Sequence, residues 1–218
     1  MTSIKPLSGP EDIPAKVKNI IIFLHGLGSN GDDLMGLAPY FKEALPETAF
    51  LSPNAPYQVP MAYNGYQWFD LWDRSPMQVE AGVRETAPMI VDFIEASAKR
   101  FKVSLSRIIL IGFSQGTMMS LHAGLRLIEG LGGIVGYSGA MISPETLDDE
   151  KLKKLPPVLL VHGLADPIVP AMASQYASST IENAGGDVRY IQRPFLVHSI
   201  DDAGIKEAIS FAQSIFDK

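Results

Sequence analysis

A serine hydroxyl is a poor nucleophile until a base takes its proton, so its neighbours decide whether it can do chemistry. In Gly112-Phe113-Ser114-Gln115-Gly116 a serine stands between two glycines, after the apolar run Arg107–Gly112 (RIILIG) and before the helix-like QGTMMSLHAGLRLIE. A strand, a tight turn and a helix in that order hold a serine in a strained backbone conformation at a sheet's C-terminal edge. The flanking glycines remove Cβ atoms that would collide with neighbouring segments. The dipole of the following helix favours negative charge developing at its start. Gly-x-Ser-x-Gly also occurs as a chance turn, so it is the flanking strand and helix that give the motif its meaning. They point to nucleophilic attack on a carbonyl carbon.

Such a serine needs a histidine, and in this setting the chain order is serine, acid, histidine. Of four histidines three follow Ser114; His122 stands on the helix just beyond the elbow, and of His162 and His198 the latter is expected as the base, with Asp166 between it and the serine. His25 precedes the elbow, and His122, on the helix after it, is expected to pack. Asp166 follows the run VLLVH directly, where a loop can aim a carboxylate at His198, orient the imidazole and stabilise the imidazolium. Asp148, Asp149 and Glu150 read as a solvated face, Asp187 as part of a turn, and Asp201 and Asp202 as a helix N-cap. An oxyanion needs two donors. One is expected from the backbone N–H of Gln115, the other from His25-Gly26-Leu27-Gly28, which follows the early run KNIIIFL.

The elements that must position these groups are visible as short apolar runs alternating with longer helical patterns. Lys18–Leu24, Ala49–Ser52, Arg107–Gly112, Gly133–Tyr137, Val158–His162 and Val188–Gln192 read as strands. Asp32–Leu45, Val79–Phe101, Gln115–Glu129, Met172–Asn183 and Asp202–Phe216 read as helices, and Pro88 is expected to end or bend the second. The alternation implies an α/β domain with a mostly parallel central sheet and helices on both faces. One domain over residues 1–218 is expected, with an extended N-terminal segment at 1–17. Residues 53–76, rich in Pro and aromatics, read as a lid-like substrate loop.

Composition bounds the rest. The chain has 218 residues, a net charge of −6 and no cysteine. The acidic balance argues against nucleic acid and against adhesion to anionic membranes. Without cysteine there is no thiolate catalysis, zinc-thiolate site or S-linked lipid anchor. No segment has the roughly 20 apolar residues of a membrane span, and a cytoplasmic location is expected. Exposed apolar loop residues could serve a homodimer face or a lipid-facing groove equally well.

From Ile20 to Phe216 the chain resembles the carboxylesterases and acyl-protein thioesterases of the small α/β-hydrolase group. The resemblance rests on LHGLGSNGDDL, SPNAP, WFD, GFSQG, GYSG, HGLADPIVP and the late His198. It implies an α/β-hydrolase fold with a minimal lid and a Ser114–Asp166–His198 triad. It also implies an oxyanion hole of the Leu27 and Gln115 N–H groups, and hydrolysis of ester or thioester substrates, small or protein-borne. No metal or organic cofactor is implied. Met61, Trp68, Phe69, Leu71 and Trp72 could line an acyl groove opposite Ile168 and Val169, or the tryptophans could be ordinary core aromatics. The sequence departs from the family at Val197, where a Gly usually precedes the catalytic His, and at Thr117, where a second Gly is common. Rival readings are a peptidase or dienelactone-type hydrolase and a catalytically impaired binding protein of the same fold.

Overall fold

Six-residue runs such as Asn19–Leu24 and Ile108–Phe113 have apolar side chains on both sides of the strand, so they are stable only where both faces are covered. The computed structural model, which describes residues 6–60, 62–73 and 75–217, shows that arrangement. In chain order the elements are β1 (Glu11–Asp12), β2 (Asn19–Leu24), α1 (Gly31–Met35), α2 (Ala38–Lys42), β3 (Thr48–Leu51), β4 (Tyr57–Gln58), β5 (Tyr66–Gln67) and α3 (Pro76–Phe101). They continue with β6 (Ile108–Phe113), α4 (Gln115–Arg126), β7 (Gly133–Tyr137), α5 (Leu147–Glu150), β8 (Val158–Gly163), α6 (Ala171–Asn183), β9 (Val188–Arg193) and α7 (Asp202–Phe216).

Among the described residues, seven strands form one sheet in the order β1-β3-β2-β6-β7-β8-β9. Every pairing is parallel except that of β1 with β3. Strand alternation divides the core in two. Ile20, Ile22, Leu24, Ile108 and Leu110 meet α3, α4 and α6 on one face, while Ile21, Phe23, Ile109 and Ile111 meet α1, α2 and α7 on the other. Because β2, β6, β7, β8 and β9 run parallel, their carboxyl ends share one edge, where open α/β sheets bind ligands. The loops holding Leu27, Ser114, Asp166 and His198 all leave from it.

Local chemistry sets several boundaries. Asp201 caps α7 by accepting the Gly204 N–H at 2.8 Å, as the sequence suggests. The single helix expected over Asp32–Leu45 is instead two: Gly36 ends α1, and Pro39, which has no N–H to donate, fits only the first turn of α2. Of the end or bend expected at Pro88, the end does not occur, and α3 runs on through it. Pro88 lies on the exposed side, while the buried stripe Val83, Ala87, Ile90 and Ile94 continues unbroken. The 53–76 segment carries a short antiparallel ribbon, β4–β5, too brief to register as periodicity.

The reading of Asp148–Glu150 as a solvated face holds for the two aspartates only. Glu150 accepts from Arg84 Nη2 at 2.6 Å and from Arg126 Nε at 3.0 Å. Beside that cluster His122 is buried on α4, and its Nδ1 has no partner among the described residues. Burial, aided by the charges of Arg126 and Arg84, pushes its pKa down to about 4. The unfolded chain therefore takes up a proton near pH 6.5 that the folded chain refuses until about pH 4. Stability is full above pH 6.5 and falls by on the order of 3 kcal/mol as pH drops to 4. In His122→Leu, the slope of Tm against pH should flatten over that window, leaving the smaller effect of buried His25, which is shifted the same way. An unchanged slope, read by thermal denaturation, would contradict this origin.

Candidate active site

The turn after β6 is built around missing side chains. A Cβ at Gly116 would stand 1.8 Å from the Leu24 carbonyl oxygen, and one at Gly112 would stand 2.5 Å from the Gly116 backbone. Only glycine lets α4 start so close to β2 and β6. Between them Ser114 has φ 53° and ψ −115°, a left-handed conformation that L-residues seldom adopt. It is held there by its N–H, which donates to the Tyr137 carbonyl at 2.9 Å, and by its own carbonyl, which accepts from Thr117 N–H at 3.0 Å. Thr117, the departure from the family pattern, is part of the construction. Its hydroxyl lies 2.9 Å from the carbonyls of both Gly112 and Tyr137, and its side chain fills the space left by Gly136 and Gly139.

The loop after β2 packs on this turn. A Cβ at Gly26 would sit 3.4 Å from that of Ser114, so the next residue, Leu27, runs alongside the serine. Buried His25 fixes the loop: its Nδ1 lies 2.8 Å from the Gly26 carbonyl and its Nε2 accepts from the Ala55 N–H at 3.0 Å. Those partners place the ring proton on Nδ1. Burial, the largest influence on this ring, lowers its pKa and keeps it neutral. Among the described residues, neither the Leu27 N–H nor the Gln115 N–H has an acceptor.

On the far side of the elbow His198 Nδ1 donates to Asp166 Oδ2 at 2.7 Å. The ring of Phe113, next to Ser114, lies 4.8 Å from that of His198. Asp166 Oδ1 accepts from the N–H groups of Ile168 at 2.8 Å and Val169 at 3.0 Å. Burial acts to raise the Asp166 pKa, but the His198 bond and these two backbone donors outweigh it and hold the carboxyl below its ordinary value. Val197 is accommodated without a left-handed backbone, because the positive φ of this loop falls on Phe195 instead. Its side chain is half exposed, and the neighbouring His198 side chain keeps 17% exposure.

The aromatic groove expected from the sequence is only partly brought together. Trp68 is 0% exposed and belongs to the core, and Phe69 is buried with it. Trp68 is a tie between loops. Its N–H donates to Gln115 Oε1 at 2.8 Å, its indole N–H to the His25 carbonyl at 2.8 Å, and its carbonyl accepts from Thr86 Oγ1 at 2.7 Å. Gln115 Nε2 completes the clamp on the Phe69 carbonyl at 2.8 Å. Both loops carrying the free N–H donors are thereby fastened to one tryptophan, a role that its spacing in the sequence does not signal. Leu71 is half-buried against the core, whereas Trp72 (80%) and Ile168 (67%) are exposed. Val169 is half-buried and contributes backbone groups around Asp166. Met61 lies outside the described residues.

Known proteins are similar to this chain. Residues 12–216 match the family model described as phospholipase/carboxylesterase. Acyl-protein thioesterase 1 of Schizosaccharomyces pombe is 31% identical over 206 residues, covering 89% of this chain and 90% of its own. Among solved structures, esterase PE8 superimposes with a TM-score of 0.91 at 35% identity, covering 97% of this chain and 100% of its own. A Bacillus cereus carboxylesterase, at 19% identity and a TM-score of 0.80 over 96% of this chain and 94% of its own, shares the fold.

The close approach at Gly116 is directly testable. Gly116→Ala must push α4 off the Leu24 carbonyl, an overpacking that costs about 3 kcal/mol or more. Thermal denaturation should show Tm lowered by roughly 10 °C, or no soluble protein. A variant as stable as the parent would show that the turn has slack.

Proposed function

The chain belongs to the phospholipase/carboxylesterase family and is a serine hydrolase of carboxylic esters or thioesters; from that premise we propose that Ser114, His198 and Asp166 are its catalytic triad. His198 takes the Ser114 proton through Nε2 as the hydroxyl oxygen attacks the acyl carbonyl. The bond that carries this reading is the 2.7 Å contact of His198 Nδ1 with Asp166, which leaves Nε2 free as the base. The tetrahedral oxyanion accepts from the Leu27 and Gln115 N–H groups, which have no acceptor among the described residues. His198 then returns the proton to the departing alcohol or thiol. In the second half it deprotonates a water that attacks the acyl-serine, freeing the acid and restoring Ser114.

We assign contact with the acyl chain to Leu71, Trp72, Ile168 and Val169, and the role of a short lid to the 53–76 segment. The exposure of Trp72 and Ile168 supports this, since large apolar side chains held in water are readily covered by an acyl chain. Substrates in which a fatty acyl group is joined to a protein side chain fit such an open edge, because the leaving half can be of any size. The likeness to acyl-protein thioesterase 1 supports the same choice. The reading is complete within one chain and needs no second copy.

Hydrolysis of p-nitrophenyl esters from C2 to C16 tests it. Ser114→Ala and His198→Ala should keep the far-UV circular dichroism of the parent and lower kcat by about a thousandfold or more. A loss smaller than about tenfold in either would refute the assignment of that residue.

A further inference from the structure

Asp166 carries a second histidine. The oxygen that accepts from His198, Oδ2, also stands 3.1 Å from Nε2 of His162, and the His162 side chain is 0% exposed at the carboxyl end of β8. Nε2 of His162 faces only acceptors, this carboxylate and the Val169 carbonyl at 2.9 Å, so it bears a proton and donates to both. The other nitrogen is anchored as well. Nδ1 lies 2.7 Å from the Ser174 hydroxyl on α6, which is 2.9 Å from the Gly139 carbonyl after β7. The ring is thus fixed at both ends between three elements.

We infer that His162 is a positioning residue for the hydrolysis, setting both the rotamer and the basicity of the Asp166 carboxylate that orients His198. The inference rests on the triad proposed above. With His162 in place each carboxylate oxygen has two donors: Ile168 and Val169 N–H on Oδ1, His198 and His162 on Oδ2. All lone-pair directions of the buried carboxylate are then occupied, and the group cannot rotate without breaking several charge-assisted bonds. The His162 bond also withdraws part of the carboxylate's charge from His198. Removing it leaves a stronger acceptor opposite His198 Nδ1, so the imidazolium is favoured and the free base is reached only at higher pH. The groups that face this cluster are Asp166 and the two imidazoles, with neutral Phe113 and Ser174. The nearby Arg193 guanidinium is engaged by Asp201 at 2.9 Å.

The test compares His162→Leu, which removes the donor, with His162→Gln, whose amide N–H reaches a similar place. For p-nitrophenyl butyrate, His162→Leu should lower kcat about tenfold with KM within about twofold, in keeping with loss of one hydrogen bond to a charged group. The acid limb of kcat/KM against pH should move up by roughly half a pH unit. His162→Gln should recover most of kcat and the position of the limb. A His162→Leu enzyme with parental kcat and limb, only lower in Tm, would make His162 a packing residue and overturn the inference. If His162→Leu does not fold, Ser174→Ala, which frees the far end of the ring, decides: a displaced limb supports the inference and an unmoved one overturns it. Asp166→Asn is measured in parallel. If it abolishes turnover while the His162 variants leave the limb in place, only the role of His162 fails; if it retains turnover, the triad itself fails.

Discussion

The start of α4 lies so close to the end of β2 that no side-chain carbon fits between Gly116 and the Leu24 carbonyl, and the rest of the site follows from that approach. It forces the chain between Gly112 and Gly116 into a turn that only a left-handed residue can close, and that residue is Ser114. The same approach draws the His25–Gly28 loop against the serine, and the Leu27 and Gln115 N–H groups have no acceptor among the described residues. Strain of this kind, of order 1–3 kcal/mol at one residue, persists only when its surroundings over-determine it. Here they do, through Thr117, Tyr137 and the Trp68 clamp on both loops.

The second half of the site depends on a carboxylate kept ionised in a buried place. Asp166 is out of contact with water yet keeps a lowered pKa, because its hydrogen-bond donors more than replace the water it lost. A carboxylate so held presents a fixed oxygen to His198 and needs no reorganisation as the imidazolium forms. The parallel sheet makes the two halves meet, since β6 delivers the serine, β8 the acid and β9 the loop of the base at one edge.

Much of this was legible in the sequence because its causes are local. Strands buried on both faces are continuous apolar runs, and Gly133–Tyr137 and Asp202–Phe216 were bounded to the residue, the latter by the Asp201 cap. The elbow was legible because its glycines are required by contact with backbone. What escaped had non-local causes. The survival of α3 through Pro88 depends on which side of the helix meets water, and the division of α1 from α2 on a single Gly and Pro. Trp68 and Trp72, four residues apart and alike in composition, have opposite fates: one in the core, one in solvent. The order serine, acid, histidine sets His162 aside as a base because Asp166, the expected acid, follows it, but that rule carries no information about a second ring on the same carboxylate. The spacing His162-x3-Asp166 across a strand end is the one trace of it in the sequence.

The central claim, that the strained serine of this elbow is the attacking group, is tested most directly by trapping it. A fluorophosphonate reacts only with a serine whose base and oxyanion donors are in place. Intact-mass analysis followed by peptide mapping should show one adduct per chain, on the peptide containing Ser114, formed at a rate that falls steeply when His198 is replaced by alanine. An adduct on another serine, or none on folded protein that still hydrolyses esters, would contradict the account.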